Sequence, residues 1–284
     1  MACSLLGGRI GHDPTAWVIV GAGYLLSALA LNGVFLLVHE GTHHLISARS
    51  GVNRAISVLL GIPLFMSFTA YKVTHIRHHQ FLGDARDPDD YRNYTESKAV
   101  LWLLHFTRLL CASYLYLLSV PLVAMRHSLP AAKRQIIQEY LFLAAVYVAL
   151  FSLIPFHWLL HAWLIPTVFV NFLINVRGLT QHSVTDVDDQ FVASRSIQSH
   201  RIVAFLYMNE NYHLEHHLYP NVPFYNLREL HTILAERWPR ALTVPSYSWF
   251  LMRFFKATLT LDDTPIGIIT KRQPSAVDRT VPPE

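Results

Sequence analysis

The chain has 284 residues, 52% of them apolar and 15% charged, with a net charge of +4 at pH 7 and a mean hydropathy of +0.29. That hydropathy belongs to the membrane class, and a modest charge with no basic patch interleaved with aromatics excludes a nucleic-acid module. Two cysteines, Cys3 and Cys111, give neither a disulfide framework nor a thiolate metal site, so any metal must be held by the 17 histidines.

Met1 to Pro14 lacks the basic start, short apolar core and small-residue cleavage site of a secretory signal, so the N-terminus is expected to be retained. Residues 17–38 are apolar and uncharged, long enough to cross a hydrocarbon core of roughly 30 Å, and run directly into His39. Residues 53–71 are also apolar but hold Pro63, with Arg54 and Lys72 near the ends. A crossing there would put the histidines before and after it on opposite membrane faces, so this stretch is expected to be interfacial or re-entrant. Residues 100–125 carry His105 and Arg108, expensive at mid-membrane, and are expected to lie at the interface. A hairpin is expected over 138–175, turning at Pro155 to His157, and the basic loop Arg126 to Arg134 suits a cytosolic face. From Arg177 to Arg240 the chain turns polar and reads as a cytosolic cap, including a helix over Leu227 to Trp238 on which His231 is structural. The tail 262–284, rich in Pro, Asp, Arg and Lys, reads as disordered, leaving a single domain over 1–261.

The histidines repeat one spacing. In the stretch Asn209 to Pro220, His213, His216 and His217 stand at i, i+3 and i+4, which on a helix projects three imidazoles from one face. His75, His78 and His79 repeat the pattern, and His39 with His43 make an i, i+4 pair. At this histidine content two such triplets are expected far less than once by chance. One zinc takes about four ligands, whereas eight imidazoles suit two ions, and a bimetallic site capable of redox chemistry is most naturally di-iron. The rival is a zinc metalloprotease, because His39-Glu40-Gly41-Thr42-His43 is also a literal HExxH, but a protease has no use for the other two clusters.

The order of HxxxH at the end of a span, HxxHH about thirty residues on and HxxHH beyond a hydrophobic hairpin resembles the membrane fatty acid desaturase and hydroxylase superfamily. The similarity extends to Leu82-Gly83-Asp84 and Asp87-Pro88-Asp89, and to Asn211 through Pro220 followed by Val222-Pro223-Phe224. The resemblance implies an all-α, polytopic membrane protein whose cytosolic helical cap holds two irons. It implies as ligands His39, His43, His75, His78, His79, His213, His216 and His217, with His182 as a ninth. The superfamily also includes first boxes that would select His44 in place of His43, although i, i+4 geometry favours His43. Asn175 is a candidate for a water-mediated place near the metal. Glu40 and Glu215 are expected to orient imidazole N–H groups, and Asp84, Asp87, Asp89 and Asp90 to do the same or to shape the entrance.

The implied reaction uses O2 and two electrons to desaturate a fatty acyl or lipid chain. Hydroxylation, ketolation or oxidative decarboxylation of a fatty acid, alkane or carotenoid are the alternatives. One span rather than a hairpin precedes His39, a departure from many desaturases. No fused cytochrome and no Cys pairs are present, so an external donor of ferredoxin, cytochrome b5 or rubredoxin type is expected. Arg126, Lys133, Arg134, Arg228 and Arg240 are its candidate docking residues. The expected location is a bacterial inner membrane or the endoplasmic reticulum, with the histidines on the cytosolic face.

Overall fold

The computed structural model describes residues 14–259, apart from 91–92, 94, 96, 184–190, 192 and 239–242. The tail expected at 262–284, Cys3 and Arg240 lie outside the described residues. The long helices are α1 (Pro14–Thr42), α2 (Ser50–Gly61), α3 (Phe68–Phe81), α4 (Lys98–His127), α5 (Pro130–Leu153), the one-turn α6 (Phe156–Leu159) and α7 (Ile165–His182). Shorter ones follow: α8 (Arg201–Leu206), α9 (His213–Leu218), α10 (Leu227–Arg237) and α11 (Tyr247–Leu259). A parallel pair, β1 (Ser196–Ile197) with β2 (Thr243–Val244), pins the cap with Ser196 opposite Thr243.

Four stretches are long and apolar enough to cross a membrane: 14–42, 106–127, 130–153 and 156–182. The outer surfaces of these helices are apolar to a degree water does not tolerate, with Val18 72%, Leu122 74% and Leu153 80% exposed. The expected span 17–38 is therefore longer at both ends. The expected hairpin 138–175 comprises α5 and the run 156–182, because Pro130 and Pro155 set the starts and Leu160–Leu164 bridges α6 to α7 as a π turn. Helices α1 and α7 run side by side in the same direction, with Tyr24 against His161 and Phe35 under the Arg177 guanidinium. Helix α5 runs the other way, from Glu139 beside Ser67 to Phe151 beside Trp163.

The stretch expected to be interfacial or re-entrant over 53–71 is two helices bent by 98°. Gly61, Pro63 and Phe65 cause the break. Phe65 takes a left-handed φ of 58°, and a Cβ on Gly61 would lie 2.5 Å from the Met66 carbonyl oxygen that folds back on it. The tip is anchored by Tyr147 Oη donating to Ile62 O and Trp163 Nε1 donating to Pro63 O, both at 2.8 Å. Phe65 stacks on Trp163 at 4.6 Å. Both outer ends return to the histidine side: Asn53 Nδ2 donates to Gly41 O, and Lys72 Nζ to His44 Nε2.

Helix α4 differs from the interfacial expectation in composition, since 106–127 passes the length and apolarity test for a span. Its contacts nevertheless keep both ends near the histidines. Arg108 Nη1 donates to Ser183 Oγ at 2.8 Å, one residue beyond His182, and His127 shares a pocket wall with Arg77. Between those ends Val120 and Ala124 pack on Ala70 and Ile136, laying α4 across α3 and α5.

Candidate metal centre

The first cluster is shaped by how α1 ends. Leu45 N–H returns to Glu40 O and His44 N–H to Gly41 O while His44 adopts φ 63°, a left-handed helix stop. That turn separates the two adjacent histidines. His43 stays buried beside His39, whereas His44 swings out to be exposed against Lys72. Asn53 on α2 caps the turn from outside, accepting from Ile46 and Ser47 N–H.

The second cluster projects from α3, whose N-cap Ser67 accepts from Ala70 N–H. Beyond the helix, Gly83 takes φ 73° and the loop folds around the buried Asp87 carboxylate. That carboxylate accepts from Gly83 N–H at 2.8 Å, from Asp89 N–H at 2.9 Å and from His78 Nδ1 at 2.9 Å. His78 Nδ1 is thereby the protonated nitrogen, and its Nε2 lone pair points into the centre.

The third cluster rides on α9, entered through Met208 and Asn209, both left-handed at φ 48° and 57°. Asn211 Nδ2 donates to Ile197 O and Gln181 Nε2 to Glu210 O, tying the entry loop to β1 and to α7 next to His182. Buried Arg195 completes the support, donating to Thr180 O and lying 4.4 Å from the Phe250 ring.

All nine predicted histidines converge. His39, His43, His75, His79 and His216 place one ring nitrogen each within 4.8 Å of one another, and His78, His182 and His217 form a second such group. His213 joins the second, its Nε2 lying 2.8 Å from His182 Nε2 and 3.1 Å from His217 Nε2. In the first group, His75 Nε2 is 2.9 Å from His43 Nε2 and 3.1 Å from His79 Nε2, which is 3.1 Å from His216 Nε2. Burial holds the imidazoles of His213, His216 and His217 well below the ordinary histidine value, with their mutual repulsion adding to it, and pushes His43 down to about 4. Neutral imidazoles that turn ring nitrogens on each other at such distances are held together most naturally by cations between them. Two groups of four or five nitrogen ligands with no thiolate fit two borderline ions such as iron. The fit rests on this donor set and on the buried ring of His39, neither nitrogen of which makes a hydrogen bond within the protein.

The carboxylate that organises these rings is Glu210, which the sequence reading passed over. It is 1% exposed. Its Oε2 accepts from His213 Nδ1 at 3.1 Å, and its Oε1 lies 3.6 Å from His39 Nδ1 and 3.9 Å from His216 Nδ1. Burial pushes its carboxyl up to about 8, against the opposing charge of Arg177, whose Nη1 is 3.5 Å away. The signal available was position: an acid three residues before His213 faces the same side of the turn. The expectation is corrected for Glu215, which accepts from His231 Nδ1 at 2.6 Å and from Ser196 and so braces the cap. Glu40 accepts from Phe224 N–H and also stands with a carboxylate oxygen within 4.8 Å of a His39 ring nitrogen and of Glu210. Of the four aspartates, Asp87 performs the expected role. His231 is structural as expected, stacked on Tyr212. Asn175 binds α4, accepting from Ser113 N–H and donating to Leu109 O.

A cavity of about 840 Å³ opens directly beneath the histidines. His39, His75, His78, His182 and His213 form its head, and Leu115, Leu117, Val170 and Ile174 line its walls between α4 and α7. Pro63 and Phe65, at the α2–α3 tip, lie at its far end. A predominantly apolar cavity with a histidine head and a few polar side chains, Ser113, Thr167 and Asn171 among them, along its wall has room for a chain-like ligand.

The family model described as fatty acid desaturase matches residues 15–249. Among curated relatives, an sn-1 oleoyl-lipid 12-desaturase of Picosynechococcus sp. is 22% identical over 84% of this chain and 75% of its own length. One of the same name from Synechocystis sp. is 23% identical over 93% and 82%. A sphingolipid delta(4)-desaturase of Candida albicans is 23% identical over 84% and 70%. The chain belongs to the fatty acid desaturase family, as a membrane-type helical oxidoreductase carrying the histidine cluster described above.

Proposed function

We propose that this chain is a di-iron desaturase that uses O2 and two electrons to introduce a double bond into the acyl chain of a membrane lipid. The observation that carries the reading is the convergence of nine histidines, five of which line the head of one apolar cavity. The relatives' names specify an sn-1 oleoyl-lipid and a sphingolipid, so a lipid-linked acyl chain is the substrate class.

When bound, two irons would supply oxygen activation and hydrogen abstraction; the chain's own residues supply everything around that chemistry. Glu210 and Asp87 fix the Nδ1 protons of His213 and His78, which aims the Nε2 lone pairs of those rings inward. The walls from α4 and α7 exclude water and hold the acyl chain extended, with one segment beneath the histidines. Product identity depends on which carbon this wall presents.

The membrane arrangement follows from the same geometry. We read α1, α5 and the run 156–182 as crossing, the α2–α3 pair as re-entrant, and α4 as beginning and ending on one side. Any fourth crossing between His79 and His182 would separate residues that meet in one cluster. Arg126, Lys133 and Arg134 lie on the histidine side and suit a cytosolic orientation with a separate electron donor docking there.

Expression in a host of defined lipid composition, with oxygen and a reductase system, followed by mass spectrometry of total lipids tests the reading. Loss of two hydrogens from an acyl chain is the expected result. Gain of one oxygen assigns a hydroxylase, loss of carbon dioxide a decarboxylase, and a single stoichiometric zinc in the purified protein refutes the di-iron assignment.

A further inference from the structure

On the face of α3 turned away from the cavity, a second pocket of about 500 Å³ lies between α2, α3, the end of α4 and the start of α5. Arg54, Lys72 and Arg77 line it together with His44 and His127, and no carboxylate is among its lining residues. Glu139, the acid close by, is fully engaged, accepting from Arg54, from Ser67 Oγ and from both Thr69 N–H and Oγ1. Arg54 retains a buried Nε with no hydrogen-bond partner. Lys72 donates to the ring nitrogen of His44, a neutral acceptor that leaves its charge uncompensated. Lys72 and Arg77 thus enter the concavity with no carboxylate among its described lining residues, and Arg54 beside them is shared with Glu139. The remaining wall is apolar, formed by Phe68, Val73, Ile76 and Ala132. The two flanking helices turn exposed apolar side chains outward, Val52, Ile56 and Leu59 on α2 and Ile137 and Leu141 on α5.

We propose that this pocket binds the phosphate of an anionic membrane lipid headgroup, with the lipid's acyl chains lying along the exposed faces of α2 and α5. Guanidinium and ammonium groups converging at a membrane boundary match a phosphodiester, and the apolar half of the wall matches the glycerol and first methylenes. The site is separate from the acyl cavity, because α3 stands between them with His75 and His78 on its other side. The inference does not depend on which reaction the histidines perform.

The test uses the full chain in nanodiscs of phosphatidylcholine with and without phosphatidylglycerol, with native mass spectrometry to count retained lipid and a thermal scan to read stabilisation. Wild type is expected to retain phosphatidylglycerol in preference to phosphatidylcholine and to melt higher with it. The double variant Lys72→Gln/Arg77→Gln, and separately Ala132→Glu, which places a carboxylate in the pocket from α5, should each weaken that retention at least about tenfold. Metal content is measured in parallel. Ala132 is remote from the histidine clusters in sequence and on another helix, so it carries the test if the α3 double variant loses metal. Equal retention by wild type and Ala132→Glu overturns the proposal. So does stabilisation by inorganic phosphate in detergent that matches the lipid's effect, an outcome that assigns a free anion instead.

Discussion

Replacing Glu210 is the sharpest test of how the centre is held together, because one buried carboxylate faces ligands of both groups. His213, of the second group, donates Nδ1 to Glu210 at 3.1 Å, while His39 and His216, of the first, stand with Nδ1 at 3.6 and 3.9 Å from it, close enough to feel its charge without a hydrogen bond. Losing an orienting partner of this kind lowers metal affinity by about 10- to 100-fold per ligand ring. Glu210→Gln keeps one acceptor oxygen and should weaken both ions by about tenfold. Glu210→Ala removes both oxygens and the group that faces the buried Arg177 guanidinium 3.5 Å away, and should lower stability as well as metal affinity. Metal titration of the chelator-treated protein, with total metal by mass spectrometry and a thermal scan, reads both effects. Asp87→Asn is the companion variant, since Asp87 orients only His78. It should lower occupancy of the second ion alone. If Glu210→Ala retains two tightly held metals, or loses only one as Asp87→Asn does, the carboxylate does not bridge the two groups and the reasoning fails.

Other consequences follow from the same contacts. His43→Ala should abolish turnover and reduce metal content, whereas His44→Ala, altering an exposed ring held by Lys72, should leave metal content unchanged. Ile174→Trp, filling the cavity between α4 and α7, should reduce lipid conversion by more than about 100-fold with metal content intact, measured by lipid mass spectrometry against metal analysis. Gly41→Ala would place a methyl group 3.1 Å from Ser57 Cβ and inside the reach of its hydroxyl, pushing α2 from α1 at a cost of about 1–3 kcal/mol in a thermal scan. For the metal-free protein, the folded-state value of His43, about 4, lies below the unfolded value near 6.5. The unfolded chain therefore binds more protons in that window, and stability should fall as pH drops from about 6.5 to 4, by on the order of 3 kcal/mol for this ring. His213, His216 and His217 act with the same sign. Glu210 runs the other way and withdraws stability as pH rises from its ordinary value towards 8. Chelator-treated protein should accordingly melt highest near neutrality, and a melting temperature that rises steadily into acid would contradict these shifts.

The ligand side of this centre is legible in sequence because imidazole spacing is a periodic signal: rings at i, i+3 and i+4 share a helix face whatever surrounds them. The partners of those rings are not periodic. Glu215 sits inside a histidine motif and looks like an orienting acid, yet it meets His231, a contact made across 16 residues. Glu210 takes the role because two left-handed residues, Met208 and Asn209, turn the chain back towards α1 and α7, and neither is a glycine that would announce the turn. The choice of His43 over His44 belongs to the same class of information, settled by a helix stop that i, i+4 geometry anticipates but does not explain.

Topology shows the complementary case. Hydropathy alone counts 106–127 as a span, and it does so correctly on composition. What decides its path is a long-range condition, that His78 and His182 meet with ring centroids 4.7 Å apart, so the chain between them must return to the side it left. Charged and polar residues along α4 satisfy that condition locally: Arg108 reaches Ser183, and Tyr116, in the middle of the helix, meets Thr74 beneath the second cluster. On the proposed reading α4 stays on one side of the membrane and is free to form a wall; the cavity under the histidines is bounded by α4, which packs across α3 and against α7. The constraint that holds the two metal groups on one face is thus the same constraint that builds the place where an acyl chain can lie.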